Sequence, residues 1–129
     1  MDKQRIIPLL VYDDIEAAQR FLVEAFGFRR GVLERDPTGR VVHGEVFLGD
    51  FAIWLHRATA DYGLASPHTL PALPGGVVVL VDDVDAHCDR ARKAGAVIDS
   101  TPADQPYGQR EYAARDLEGG RWYFATRPT

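Results

Sequence analysis

One phrase is written twice in this chain. Val11-Tyr12-Asp13-Asp14-Ile15-Glu16-Ala17 returns as Leu80-Val81-Asp82-Asp83-Val84-Asp85-Ala86, and each copy follows an apolar run and opens a helical pattern that stops at a glycine, Gly27 or Gly95. A repeat on this scale means two similar units, and neither covers its own hydrophobic face with a single helix, so the units must pair. The expected organisation is one domain over residues 1–129, with a first unit at 5–57, a connection at 58–76 and a second unit at 77–127.

Hydrophobic period sets the elements inside each unit. Ile6 to Tyr12 reads as a buried strand, and Asp13 as the helix cap, with Glu16 three residues on as in a capping box. Ile15, Ala18, Leu22, Ala25 and Phe26 fall on one helical face. Three strands follow, Phe28 to Arg35, Val41 to Leu48 and Phe51 to Arg57, joined by the turns Asp36-Pro37-Thr38-Gly39 and Gly49-Asp50. The second unit repeats the order: strand Val77 to Val81, helix Val84 to Ala94, then strands Ala96 to Thr101, Arg110 to Asp116 and Arg121 to Thr126. Both units read βαβββ, which makes the fold α+β, with curved mixed sheets around a groove. The connection holds Pro67, Pro71 and Pro74, and it is long enough both to join the units and to lie over a binding site.

Composition narrows the function classes. A net charge of −4 without any Lys/Arg run argues against nucleic acid or an anionic membrane as partner. The single cysteine, Cys88, excludes an internal disulfide and lies at the spacing of a small buried hydrophobe between Val84 and Ala91. The stretch Ile6 to Val11 is too short to span a membrane and lacks a signal peptide's layout, so a cytoplasmic protein is expected. No nucleophile elbow, P-loop or dinucleotide-binding glycine fingerprint is present.

The two V-x-D-D-x-x-A-like helix starts, Phe21 with Phe26-Gly27-Phe28, Ala94-Gly95-Ala96, and the tail Arg115-Asp116-Leu117-Glu118-Gly119-Gly120-Arg121-Trp122 together resemble the vicinal oxygen chelate (VOC) superfamily. This is the group of glyoxalase I, bleomycin-binding resistance proteins, fosfomycin resistance enzymes and extradiol dioxygenases. The segment Gln105-Pro106-Tyr107-Gly108-Gln109-Arg110-Glu111-Tyr112 resembles its PhnB-like sub-branch. The resemblance covers nearly the whole chain and implies the paired βαβββ fold, while the scaffold hosts unrelated chemistries. Superfamily enzymes hold a divalent metal on the first and last strands of each unit. Those positions fall here on Ile7 (or Pro8), near His56, on Gly76 and on Tyr123, which do not make a ligand set, so the standard metal site is expected to be absent.

Two groups of candidates remain. His43 and Glu45 alternate on one strand, His56 lies on the next, and Glu111 on the equivalent strand of the second unit. If they converge, they make a displaced site for Mn, Ni, Zn or Fe; otherwise they are a hydrogen-bonded polar cluster. Phe47, Trp54, Tyr107, Tyr112 and Trp122 supply aromatic walls for a flat organic ligand, or simply core. Arg110 and Glu111 are neighbours on a strand and point to opposite faces. Glu111 in the groove favours acid–base chemistry or a cationic ligand, and Arg110 there favours a carboxylate or phosphate. The expected protein is a metal-free binder of an aromatic or hydrophobic antibiotic or metabolite, acting as a homodimer. The alternative is a glyoxalase-like lyase, isomerase or dioxygenase, either metal-dependent through His43, Glu45, His56 and Glu111, or using Glu45 or Glu111 as base beside Tyr112.

Overall fold

A computed structural model describes residues 3–128. The first unit runs β1 (Leu9–Tyr12), α1 (Ile15–Phe26), β2 (Arg29–Arg35), β3 (Val41–Leu48) and β4 (Phe51–Arg57). The second runs β5 (Val77–Leu80), α2 (Val84–Lys93), β6 (Val97–Asp104), β7 (Arg110–Arg115) and β8 (Arg121–Thr126). Each unit makes one four-stranded mixed sheet, in the orders β1-β4-β3-β2 and β5-β8-β7-β6. The first strand of each unit pairs parallel with the last, and every other pairing is antiparallel. The α+β arrangement of twin βαβββ units is the one the repeat requires.

The repeated phrase works the same way in both copies, with one correction. The helix cap is the second aspartate of each pair, not the first: Asp14 accepts from the Ala17 amide at 3.0 Å and Asp83 from the Ala86 amide at 3.1 Å. Gly27 then ends α1 at φ 81°, a left-handed backbone that a side chain resists, and its N–H returns to the Leu22 carbonyl. Two strand limits also move. Ile6 is almost fully exposed and β1 begins only at Leu9, because Pro8 offers a carbonyl to the Trp54 amide but has no N–H to continue the ladder. At the other end β6 runs past Thr101 to Asp104, since an edge strand with irregular register tolerates Pro102.

The core lies between the sheets, where α1 and α2 pack on each other and on the inner face of their own sheets. Phe26 meets Phe124 at 4.8 Å and Trp122 at 5.5 Å between ring centroids, and Phe28 meets Trp122 at 5.5 Å. Rings of this size bury roughly 150–250 Å² each, which fixes the facing of β7 and β8. Tyr112 and Trp122, both candidates for the ligand wall, therefore sit in the core at 1% exposure. Cys88 is buried there too, as its spacing suggests.

Strand register makes the two sheets comparable position by position. Leu10 pairs with Leu55 and Val79 with Phe124, so aligning the repeated phrases makes Trp54 the counterpart of Tyr123, Glu45 of Ala113 and His43 of Glu111. No helix among the described residues is long and apolar enough to cross a membrane.

Candidate functional site

The helices cover one face of each sheet and leave the other open. On the first sheet, alternation sends Val46 and Leu55 to the core and Glu45, Phe47, Trp54 and His56 to the open face. Trp54 lies across from Glu45 and donates its indole N–H to Glu45 Oε2 at 3.0 Å. His43 lies across from His56 and turns its ring edge-on to Trp54, 5.5 Å between centroids. Arg29 lies 4.5 Å over the Phe47 ring, and the His56 Nδ1 is 2.8 Å from the Arg57 carbonyl. His43, Trp54, His56 and Tyr62 wall a recess of about 530 Å³ on this face. Five of the expected residues, His43, Glu45, Phe47, Trp54 and His56, thus share one surface: an indole 40% exposed, hydrogen-bonded to a carboxylate and flanked by the His43 imidazole.

The second open face is built differently. Arg110 turns to the helix side, where it forms a two-pronged ion pair with Asp85 of α2 at 2.9 and 3.0 Å. Glu111 is consequently on the open face, where it accepts hydrogen bonds from the Tyr107 hydroxyl and from Gln109 Nε2. The bond to Glu111 pushes the Tyr107 phenol above its ordinary pKa. Glu111 and Glu45 lie on separate sheets, each already engaged by a neighbouring side chain, so the expected carboxylate pair is not assembled within the chain. Tyr112, the candidate beside the base, instead places its hydroxyl 2.6 Å from His87 Nδ1 in the core. Burial raises the Tyr112 phenol well beyond its ordinary range.

The connection lies against the junction of the two units. It carries short 3-10 turns at Ala60–Tyr62 and Pro67–Thr69. Between β1 and β5 it encloses an apolar recess of about 360 Å³ lined by Leu9, Leu70, Leu73 and Val77. Beside this, residues 67–76 and the open face of β8 bound a more polar recess of about 780 Å³ containing Arg115, Arg121 and Tyr123. Arg115, Arg121 and Tyr123 were not among the expected site residues. The signal lay in the alternation Arg121-Trp122-Tyr123-Phe124, once Trp122 and Phe124 are known to face inward.

The connection is fixed by one carboxylate. Glu118, 8% exposed in the turn before β8, accepts from the amides of Asp13 and Asp14 at 2.8 and 2.9 Å and from the Ser66 hydroxyl at 2.5 Å. His68, an exposed side chain of the connection, meets Asp13 at 2.5 Å and lies 3.8 Å from Glu118. Next to it Asp116 accepts from Tyr12 at 2.5 Å and from the Trp122 indole at 2.9 Å. Desolvation, followed by the Asp116 charge, holds the Tyr12 phenol neutral well above its ordinary pKa.

These placements also test the metal positions. Ile7, Gly76 and Tyr123 offer no imidazole or carboxylate, and the register puts Trp54, not His56, opposite Tyr123 in the repeat. Among the described residues, only Asp13, His68 and Glu118 bring ligand atoms within 4.8 Å of one another, so His43, Glu45, His56 and Glu111 are not gathered by the chain. The residues at the superfamily's metal positions, an isoleucine, a tryptophan, a glycine and a tyrosine, do not fit a divalent ion.

Comparison with known proteins agrees with the fold. The family model described as the Glyoxalase/Bleomycin resistance protein/Dioxygenase superfamily matches residues 6–124. An uncharacterized protein of Mycobacterium bovis is 30% identical over 118 residues, covering 89% of this chain and 78% of that protein. Among solved structures, TioX from Micromonospora sp. ML1 superimposes with a TM-score of 0.75 at 32% identity, covering 97% of this chain and 99% of TioX. A bleomycin-binding protein from Streptomyces verticillus, complexed with copper(II)-bleomycin, superimposes with a TM-score of 0.67 at 22% identity, covering 100% and 99%, and so shows the shared fold. By sequence match and by its twin βαβββ units, the chain belongs to the Glyoxalase/Bleomycin resistance protein/Dioxygenase superfamily.

Proposed function

We propose that this protein binds a small aromatic or hydrophobic molecule, an antibiotic or a metabolite, and sequesters it without a metal. The observation that carries this reading is Trp54, a partly exposed indole whose plane is set by its hydrogen bond to Glu45 and by the edge of His43. An aromatic ring fixed in advance stacks on a flat ligand with little ordering cost. Glu45, His43 and His56 then fix the polar end of the ligand, while Phe47 extends the wall. In the second unit Glu111 and Tyr107 stand on the open face for the same role. The likeness to a protein solved with copper(II)-bleomycin supports a small-molecule ligand.

The open sheet faces also carry exposed aliphatic side chains, Leu9, Val78 and Leu80. A homodimer that brings the open faces of two copies together would cover them and close the groove. A cytoplasmic location and a place in the PhnB-like sub-branch belong to the same proposal, the latter on the segment 105–112 alone.

The test is binding by the purified chain, read by calorimetric titration, with copper(II)-bleomycin and a set of flat heteroaromatic compounds as probes. Trp54→Ala is expected to weaken the best probe by roughly tenfold or more, the scale of one lost stacking contact. Unchanged affinity in that variant would remove Trp54 from the site and with it the reading.

A further inference from the structure

Arg121 has an unusual environment for a guanidinium. Its Nε is buried and has no hydrogen-bond partner, although a buried donor of this kind is normally satisfied. The nearest anion, Asp99 Oδ2, is 3.5 Å away and already belongs to Arg115, whose Nε lies 3.1 Å from both Asp99 oxygens. Two guanidiniums therefore share one carboxylate, which leaves a surplus positive charge on a protein whose net charge is −4. The Arg121 guanidinium also lies over the Tyr123 ring, 5.5 Å from its centroid, which holds the fork above an aromatic floor. Gly76 permits this packing: a Cβ there would stand 2.7 Å from the Arg121 carbonyl and 3.2 Å from the Tyr123 ring.

Position adds a second argument. Arg121 lines both recesses under the connection, the apolar one of about 360 Å³ with Leu70, Leu73 and Val77, and the polar one of about 780 Å³ with Arg115 and Tyr123. It stands where an apolar compartment meets a charged one.

From this arrangement we infer that Arg121, supported by Arg115 and Tyr123, is an oxyanion clamp, and that the ligand is an organic acid. The acid's carboxylate or phosphate meets the Arg121 fork, and its apolar body enters the recess beneath residues 67–76. A guanidinium binds planar oxyanions through two parallel N–H donors, and Arg121 gives up only a 3.5 Å share of Asp99, which Arg115 keeps paired, in the exchange. The inference deepens the binding reading above and rests on the open faces being ligand walls, but it turns on different side chains from Trp54.

The experiment is calorimetric titration of the full chain with benzoate, phenyl phosphate and the neutral isostere benzamide, for wild type, Arg121→Gln, Arg121→Lys and Trp54→Ala. In wild type the better anion is expected to bind about tenfold more tightly than benzamide, the preference of a charge-assisted two-pronged contact. Arg121→Gln should abolish that preference with the chain still folded, because Arg115 keeps Asp99 paired; Arg121→Lys should restore only part of it. Whether benzoate or phenyl phosphate is preferred tells a carboxylate ligand from a phosphorylated one. Benzamide binding as tightly as the anions, a preference that survives Arg121→Gln, or no saturable binding of any probe would each overturn the clamp. Trp54→Ala separates the two readings: if it binds anions as wild type does, the stacking wall fails and the clamp stands.

Discussion

At the scale of single residues, His87 shows how strongly neighbours dictate a side chain's chemistry. Its Nε2 lies 2.8 Å from the Phe26 carbonyl, which only accepts, so Nε2 carries the proton. Nδ1 is then the acceptor for the Tyr112 hydroxyl, whose phenol burial keeps protonated. Both bonds are made by the neutral imidazole. Desolvation lowers the His87 pKa below its ordinary 6.5, and the Arg90 charge pushes the same way against the Phe26 bond. The unfolded chain therefore binds a proton at His87 at a pH where the folded chain does not. Stability from this group is complete above the unfolded value and falls as pH drops through the folded one. Wild type is thus expected to lose melting temperature between about pH 7.5 and about pH 5, with His87→Gln less stable at the upper limit but flatter across the window. Parallel slopes for the two proteins would show that His87 is not the titrating group.

At the scale of elements, each helix start carries two aspartates with one capping duty between them. Asp14 caps α1, whereas Asp13 gives its amide to Glu118 and its side chain to the exposed pair with His68. Asp14→Ala should cost about 1 kcal/mol in chemical denaturation, as cap removal does. Asp13→Ala should cost well under about 1 kcal/mol, the worth of an exposed ion pair. The reverse ranking would move the cap back to Asp13. The case shows where legibility in the sequence ends. The repeat, the helix faces and the order of strands follow from period and turn chemistry, which are local and written in neighbouring residues. Sidedness after an irregular loop is not local. Gly108 precedes β7 at φ 94°, and one residue of slip there exchanges Arg110 for Glu111 on the open face. Tyr112 and Trp122 looked as suitable for a ligand wall as Trp54 did. Only packing against Phe26 and Phe28 of the other unit assigns Trp122 to the core, and that contact has no local signature. Glu118, which anchors the connection through partners more than fifty residues away, was likewise visible only as part of a turn.

At the scale of the whole molecule, the two units complete one another's backbone. The last turn of α1 contains no basic residue, so its final carbonyls lack a charge partner within their own helix. The second unit supplies them: Arg90 of α2 donates to the carbonyls of Val23 and Glu24 at 3.1 and 3.0 Å, and His87 to that of Phe26. Gly27 is needed for this as well as for its left-handed backbone, because a Cβ there would lie 3.2 Å from Arg90 Nη1. At the other side of the junction Glu118 and Asp116 bind the start of α1 and the end of β1. With the aromatic core also shared, unfolding of either half strips the other of backbone partners and of core contacts. Urea unfolding is therefore expected to be one transition for both units. The check uses Trp54→Phe, in which Trp122 at the interface is the sole indole, followed by emission and by far-ultraviolet circular dichroism. Coincident midpoints fit mutual completion of the units. If Trp122 emission changes before half of the secondary structure is lost, the units part first and fold separately, and the connection with its recesses would open while both sheets persist.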